Sequence, residues 1–304
     1  MSSYDVIKSV CNEIGCEYSE NILLSNCTSF KIGGAADIVI SPDSVDKLSA
    51  VLKECKKSGI NVFVLGKGSN ILVSDNGFRG VVINTSKLDK IELIDETTIY
   101  CQSGVTLSKL CRFALDNSLT GLEFAFGIPG SAGGAAYMNA GAYGGEMKDV
   151  LYRCDHIDAC GNEASFVNSE LDLSYRHSAY SKSDKIITAL YLKLSKGNKD
   201  EIKAKMDELM GKRRDKQPLE YPSAGSTFKR PEGYFAGALI EECGLKGFTV
   251  GGAQVSKKHA GFVINIGGAT ASDVLGVIEH CRKTVMDSKG VMLEPEVEII
   301  GQEN

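Results

Sequence analysis

"NVFVLGKGSNILVSDNGFRGVVIN", residues 61–84, decides which α/β architectures remain open to this chain. A short apolar run over residues 62–65 ends in Gly66-Lys67-Gly68, the first half of a dinucleotide fingerprint, but Ile71 stands where the third glycine belongs. A Rossmann loop opens a helix whose N-terminus receives a pyrophosphate, whereas residues 71–84 read as strand-like runs around an Asn76-Gly77 turn. The stretch therefore fails as a Rossmann motif. Gly66, Gly68, Ser69 and Asn70 can still offer backbone N–H groups and two polar side chains to phosphate oxygens as a nest. A short glycine loop can equally be only a turn, and these residues alone leave both readings open.

Upstream, "FKIGGAADIVISP" (residues 30–42) places β-branched residues after a glycine pair and reads as a strand. In the following segment, Val45, Leu48, Leu52 and Cys55 recur at helical spacing with Gly59 as a stop. Residues 30–85 thus predict a β-α-β unit with a glycine loop. A second glycine region, "GLEFAFGIPGSAGGAAYMNAGAYGGE" (residues 121–146), is denser. Glycine at that frequency costs conformational entropy that close backbone approach must offset. Either two backbones pack tightly, or a flat polar ligand lies along the main chain; the ligand would explain both glycine loops by one cause.

The 304 residues suffice for two or three domains, and 43% hydrophobic residues supply substantial cores. A net charge of −5 argues against nucleic acid or an anionic membrane as partner, so any anionic ligand needs a local pocket. No secretory signal or membrane-spanning run is visible, and the ten cysteines lack CxxC or zinc-like spacing. They read as reduced packing residues of a cytoplasmic protein, with no metal site.

Further along, residues 199–218 read as a helix whose basic end, residues 212–216, is a solvated C-terminus suited to the helix dipole. Two amphipathic helices follow, over residues 234–247 and 271–290, separated by the strand-like "GFVINIGG". "YPSAGSTFKRP" (residues 221–231) sets Ser226 in a stretch punctuated by Pro222, Gly225 and Pro231; by itself it is an ordinary turn. In "LEPEVEII" (residues 293–300) alternation puts Glu294, Glu296 and Glu298 on one strand face.

"TSFKIGGAADI", "GKGSN", "IPGSAGGAAYMNAGAYGGE", "YRHS", "GSTFKRP" and "LEPEVE" occur in this order over about residues 28–300, and together they resemble the MurB family of UDP-N-acetylenolpyruvoylglucosamine reductases. The resemblance implies an α+β chain with a two-part, non-Rossmann, PCMH-like FAD-binding region and a smaller α+β substrate-binding domain. The expected division is 1–88 and 89–211 for the two FAD-binding parts, with strand 291–304 returning to the second, and 212–290 for substrate. The implied activity is reduction of UDP-N-acetylglucosamine enolpyruvate to UDP-N-acetylmuramate for peptidoglycan, with non-covalent FAD and NADPH as co-substrate.

By the same resemblance Arg176 holds and polarises the enolpyruvyl carboxylate, and Ser226 donates the proton, with Lys229 and Arg230 lending positive potential. Glu296 is a catalytic acid or electrostatic partner, either relaying a proton or orienting Arg176 and substrate. Gly66, Lys67, Gly68, Ser69 and Asn70, with Gly130, Ser131, Gly133, Gly134 and Ala135, are expected at FAD. Lys216, Lys229, Arg230 and His259 are expected at the substrate nucleotide. Tyr175 and His177 are left as packing residues. Arg230 stands where one branch has asparagine, and the short stretch after Arg176 leaves no room for an excursion carrying a lid tyrosine, so the chain resembles the shorter, second type. A non-catalytic flavin module would leave Arg176, Ser226 and Glu296 without a joint purpose, and "GKGSN" has no His or Cys for the covalent flavin of many related oxidases.

Overall fold

A computed structural model describes residues 3–181 and 183–301. They form two compact units, the first from residues 3–20, 38–67 and 80–213, the second from 21–37, 68–79 and 214–301.

In the first unit, helix α1 (Ser3–Glu13) and helix α2 (Val45–Lys57) share a core with a four-stranded sheet. Ser44 caps α2 by accepting the Lys47 N–H, Lys56 and Lys57 suit its C-terminal dipole, and Gly59 at φ 64° ends it. Its Leu48, Val51, Leu52 and Cys55 pack against Ile38, Ile40, Val81 and Ile83. Burying each of the larger side chains stabilises the fold by roughly 2 kcal/mol. Strand Ala35–Ser41 precedes α2 and strand Val62–Leu65 follows it, and Val62–Leu65 runs parallel to Phe78–Asn84, Val62 opposite Val81.

The larger core of this unit lies on a five-stranded antiparallel sheet ordered Glu163–Val167, Leu151–Ile157, Ile186–Lys193, Thr98–Gln102, Ile91–Leu93. Helix α3 (Leu107–Asp116), helix α4 (Ala132–Tyr137) and helix α5 (Lys199–Lys216) contribute the other side of that core. Arg213 of α5 is 4% exposed, so the basic end is not the solvated terminus expected; its guanidinium lies 5.3 Å from the centre of the Tyr143 ring.

In the second unit, helix α6 (Ala236–Glu242) and helix α7 (Ala271–Lys289) pack on a three-stranded antiparallel sheet, Thr249–Val250, Ala253–Val255, Val263–Asn265. A Thr270/Asp273 capping box starts α7 and Gly290 at φ 67° ends it. The contiguous division expected from the sequence is corrected in two respects. Residues 21–37 and 68–79 leave the first unit and bring Phe30, Ile32 and Leu72 into the core of α6 and α7. The last strand, Glu298–Ile300, does not return to residues 89–211; it runs parallel to Ile71–Val73.

None of the ten cysteines forms a disulfide, and burial pushes the Cys55, Cys111 and Cys281 thiols up to about 12. No described helix is long and apolar enough to cross a membrane.

His156, 1% exposed beneath Phe166, meets the Tyr180 hydroxyl at 3.0 Å through Nδ1. Burial, then the Lys185 charge, lowers its pKa below 6.5. The folded protein therefore binds fewer protons here than the unfolded chain. This contribution to stability is present above the unfolded pKa of about 6.5 and is lost as pH falls through the folded value. His259, also lowered mainly by burial, acts in the same direction. We expect the urea midpoint to drop from pH 7.5 to pH 5, and His156→Phe to flatten part of that drop; an unchanged slope in the variant would remove His156 from the account.

Candidate active site

The two glycine loops meet inside the first unit, since a Cβ on Gly66 would fall 2.5 Å from the Ser131 Oγ. Residues 103–107 zip along 130–133: Leu107 N–H donates to Gly130 O (3.0 Å), Ala132 N–H to Val105 O (2.7 Å) and Gly133 N–H to Ser103 O (2.9 Å). Ser131 caps α4 by accepting the Gly134 N–H, and Ala135 N–H donates to Ser131 O. The N–H groups of Ala132 to Ala135 are thus committed internally, and Ala135 is buried, so this helix N-terminus is closed by protein.

Much of the glycine density is explained by packing. A Cβ on Gly133 would sit 2.6 Å from Ser103 Cβ, on Gly145 2.7 Å from the Phe124 ring, and on Gly127 2.7 Å from the Met210 sulfur. Ser103 Oγ, buried beside Gly133, has no hydrogen-bond partner among the described residues. A buried hydroxyl of this kind, next to two converging glycine loops, fits the polar edge of a flavin. The "GKGSN" loop itself is divided, with Gly66 and Lys67 in the first unit and Gly68, Ser69 and Asn70 in the second. Gly68 adopts φ 62° with its carbonyl accepting the Ser29 N–H at 3.0 Å.

Arg176 sits at the tip of a tight hairpin closed by Ser174 and His177, whose main chains exchange both N–H···O bonds, at 3.2 and 3.1 Å. Its φ of 53° lies in the left-handed region, a conformation that costs an arginine about 1–2 kcal/mol. The guanidinium carbon lies 5.1 Å from the centre of the Tyr175 ring. The two neighbours are not packing residues: Tyr175 is 47% exposed and His177 pairs at the surface with Asp172 (3.1 Å).

Ser226 and Glu296 come together in the second unit. Thr227, next to Ser226, accepts the Glu296 N–H on its carbonyl (2.8 Å), donates its own N–H to Gly261 O (2.8 Å), and accepts the Val263 N–H on Oγ1 (2.9 Å). Asn70 holds Glu296 from the other side: its Nδ2 donates to the Glu296 carbonyl (3.0 Å) and its own carbonyl accepts the Glu298 N–H (2.9 Å). Ser226 itself is half-buried, beside Gly225 at φ 78°.

The expected substrate residues also lie in the second unit. His259 Nδ1 accepts the Gly261 N–H (3.1 Å), which leaves the ring proton on Nε2. Burial first, and the nearby charges of Lys246 and Lys216 further, keep this ring neutral. Lys216 ends α5 exposed. Lys229 is engaged by Glu294 at 3.4 Å, and Arg230 stacks over Phe235 at 4.5 Å, so each already has a neighbour besides Ser226. Among the described residues no group of His, Cys, Asp and Glu is placed to hold a metal.

Sequence reasoning missed Ser103, Asn139 and Arg213. The first two are ordinary polar residues whose burial, at 2% and 1% exposed, no pattern announces; Arg213 was hidden in a charge run.

A family model described as "FAD binding domain" matches residues 36–164, and one described as "UDP-N-acetylenolpyruvoylglucosamine reductase, C-terminal domain" matches residues 217–300. The chain is 51% identical over 288 residues to the UDP-N-acetylenolpyruvoylglucosamine reductase of Clostridium novyi (strain NT), covering 95% of this chain and 94% of that one. With the enzyme of the same name from Clostridium tetani (strain Massachusetts / E88) it shares 48% over 300 residues, covering 98% and 97%. The crystal structure of UDP-N-acetylenolpyruvylglucosamine reductase (MurB) from Thermus caldophilus superposes with a TM-score of 0.80 at 34% identity, covering 93% of this chain and 98% of that one. Two glycine loops on a non-Rossmann α+β scaffold, the matching models and these relatives lead to one assignment: the chain is an FAD-binding oxidoreductase that belongs to the UDP-N-acetylenolpyruvoylglucosamine reductase (MurB) family.

Proposed function

We propose that this chain reduces the enolpyruvyl ether of UDP-N-acetylglucosamine to the lactyl ether of UDP-N-acetylmuramate, with NADPH as reductant, on the cytoplasmic route to peptidoglycan. The observation that carries the reading is the approach of residues 226–227 to Glu296, whose N–H the Thr227 carbonyl accepts at 2.8 Å. FAD bound by the two glycine loops would supply the two-electron chemistry that links NADPH to the enolpyruvyl group.

The chain's own residues handle the charge that follows. Hydride addition leaves negative charge on the adjacent carbon, delocalised into its carboxylate. The planar Arg176 guanidinium forks onto that carboxylate and stabilises the charge as it develops. Ser226 then gives its hydroxyl proton to the carbanionic carbon, completing addition of hydride and proton across the double bond. A serine is a weak acid in water, so this role needs a site from which water is excluded and in which positive charge favours the alkoxide. Glu296, fixed by its main chain, either returns the proton to Ser226 or orients the substrate. Lys216, Lys229, Arg230 and the Nε2–H of neutral His259 serve the nucleotide diphosphate. Gly66, Lys67, Gly68, Ser69 and Asn70, with Gly130, Ser131, Gly133, Gly134 and Ala135, hold FAD, joined by the Ser103 hydroxyl.

Neither glycine loop contains His or Cys, so the flavin is held without a covalent bond. Acid precipitation should leave it in the supernatant; yellow protein in the pellet would overturn this.

Ser226→Ala separates proton donation from loop geometry. Anaerobic reduction of the flavin by NADPH should stay near normal, while its reoxidation by the enolpyruvyl nucleotide should slow by on the order of a hundredfold or more. Equal slowing of both half-reactions, or of neither, would return Ser226 to being a turn residue.

Arg176→Lys keeps the charge and loses the fork. Reoxidation by substrate should fall steeply while the melting midpoint moves by no more than about 2 °C. An unchanged reoxidation rate would take Arg176 out of the site.

A further inference from the structure

Helix α4 ends in a motif that needs a left-handed residue. Asn139 supplies it at φ 43°, its N–H donating to Ala136 O (3.2 Å) while the Ala140 N–H donates to Ala135 O (2.8 Å). Glycine is the residue this backbone position favours, and the chain uses glycine for the same purpose after α7. Here an asparagine is kept, and its side chain is fully employed although only 1% of the residue is exposed. Nδ2 donates to Glu146 Oε2 (2.9 Å) and to the Ser174 carbonyl (3.0 Å), and Oδ1 accepts the Lys148 N–H (2.9 Å).

These partners converge on the Arg176 hairpin. Ser174 is one of the two residues that close it, and Glu146 ends the adjoining Gly145–Glu146 strand, which pairs back onto Gly141–Ala142. The Glu146 carboxyl is held below the usual carboxylate range, by Lys148 first, by the Asn139 amide, and at longer range by the Arg176 charge. The side chain of residue 139 thus spans from a helix cap to the turn in which Arg176 carries an unfavourable φ.

We propose that Asn139 is a positioning residue for the reductase reaction: its amide braces Ser174 and Glu146 so that the Tyr175–Arg176 turn, left-handed at Arg176, is held with the guanidinium ready for a substrate carboxylate. The inference rests on the reading of Arg176 given above. It assigns Asn139 no contact with substrate or flavin.

Asn139→Gly tests it, because glycine retains the left-handed helix cap and deletes the side-chain bonds to Glu146, Ser174 and the Lys148 N–H. The variant should keep its flavin and its rate of reduction by NADPH within about twofold. Reoxidation by the enolpyruvyl nucleotide should fall roughly ten- to a hundredfold, with KM for that nucleotide raised, the scale of loss expected when a clamp is displaced by an ångström or so. Independently of activity, trypsin should cut after Arg176 faster than in the parent protein.

Asn139→Asp places a carboxylate against Glu146 and the Ser174 carbonyl and should be at least as damaging. Adding Glu146→Gln restores a donor opposite that carboxylate, with the polarity of the bond exchanged, and should recover part of the reoxidation rate. Unchanged reoxidation and unchanged trypsin cutting in Asn139→Gly would overturn the brace, as would equal loss of both half-reactions together with flavin. If Asn139→Gly loosens the hairpin while Arg176→Lys leaves reoxidation untouched, it is the reading of Arg176 that falls.

Discussion

One residue, Asn70, ties the second unit together through its side-chain amide and its main-chain carbonyl. Asn70 pins the main chain on both sides of Val297, donating to the carbonyl of Glu296 and accepting the N–H of Glu298. The parallel ladder of Ile71–Val73 with Glu298–Ile300 starts from that pair of bonds. On the opposite side the Glu296 N–H is taken by Thr227, whose own N–H and hydroxyl reach Gly261 and Val263. Both main-chain groups of Glu296 are therefore satisfied by segments remote in sequence. The main chain from which its side chain departs is thereby fixed on both sides.

The first unit handles its key side chain in the opposite way. Arg176 occupies a backbone conformation that opposes folding by about 1–2 kcal/mol, and such strain persists only where the surroundings over-determine it. The surroundings here are a fully hydrogen-bonded asparagine, a two-residue hairpin and a helix whose N-terminus is tied to residues 103–105. Tight glycine packing gives this support its rigidity, since Gly133, Gly127 and Gly145 each admit a neighbour where a methyl group would collide.

The fold class could be read from residues 30–85, because failure of the third glycine and the strand after the loop are local facts, and both recur as Val62–Leu65, Ile71–Val73 and Phe78–Asn84. Helices α2 and α7 were legible from apolar spacing, α2 also from its glycine stop at Gly59. What the sequence could not carry was long-range pairing. Nothing in "SFKIGG" says that Phe30 and Ile32 join a core with Val274 and Ile278 rather than with the helix beside them. At the site, six short motifs marked Arg176, Ser226 and Glu296, but composition around them misled. The dense glycines of residues 121–146 suggested one ligand, whereas packing accounts for several of them. The cations beside Ser226 suggested a common field, whereas one faces Glu294 and the other an aromatic ring. Asn139 was invisible because its meaning lies in partners at positions 146, 148 and 174.

The strand Glu298–Ile300 also sets the order in which the molecule can be made. Its partner, residues 71–73, is synthesised early, and the Asn70–Glu296 bond closes a gap of 226 positions. Loop-closure entropy on that scale must be met before the contact returns anything, so pairings of this kind form late. While a nascent chain emerges, the first unit can complete both of its cores from residues up to 206. Residues 21–37 and 68–79 must then wait, with Phe30, Ile32 and Leu72 uncovered, until residue 300 has left the ribosome. The junction of residues 226–227 with Glu296 is assembled late, which gives this chain an exposed apolar interval in its biogenesis and makes residues 295–300 the ones on which completion of the site turns.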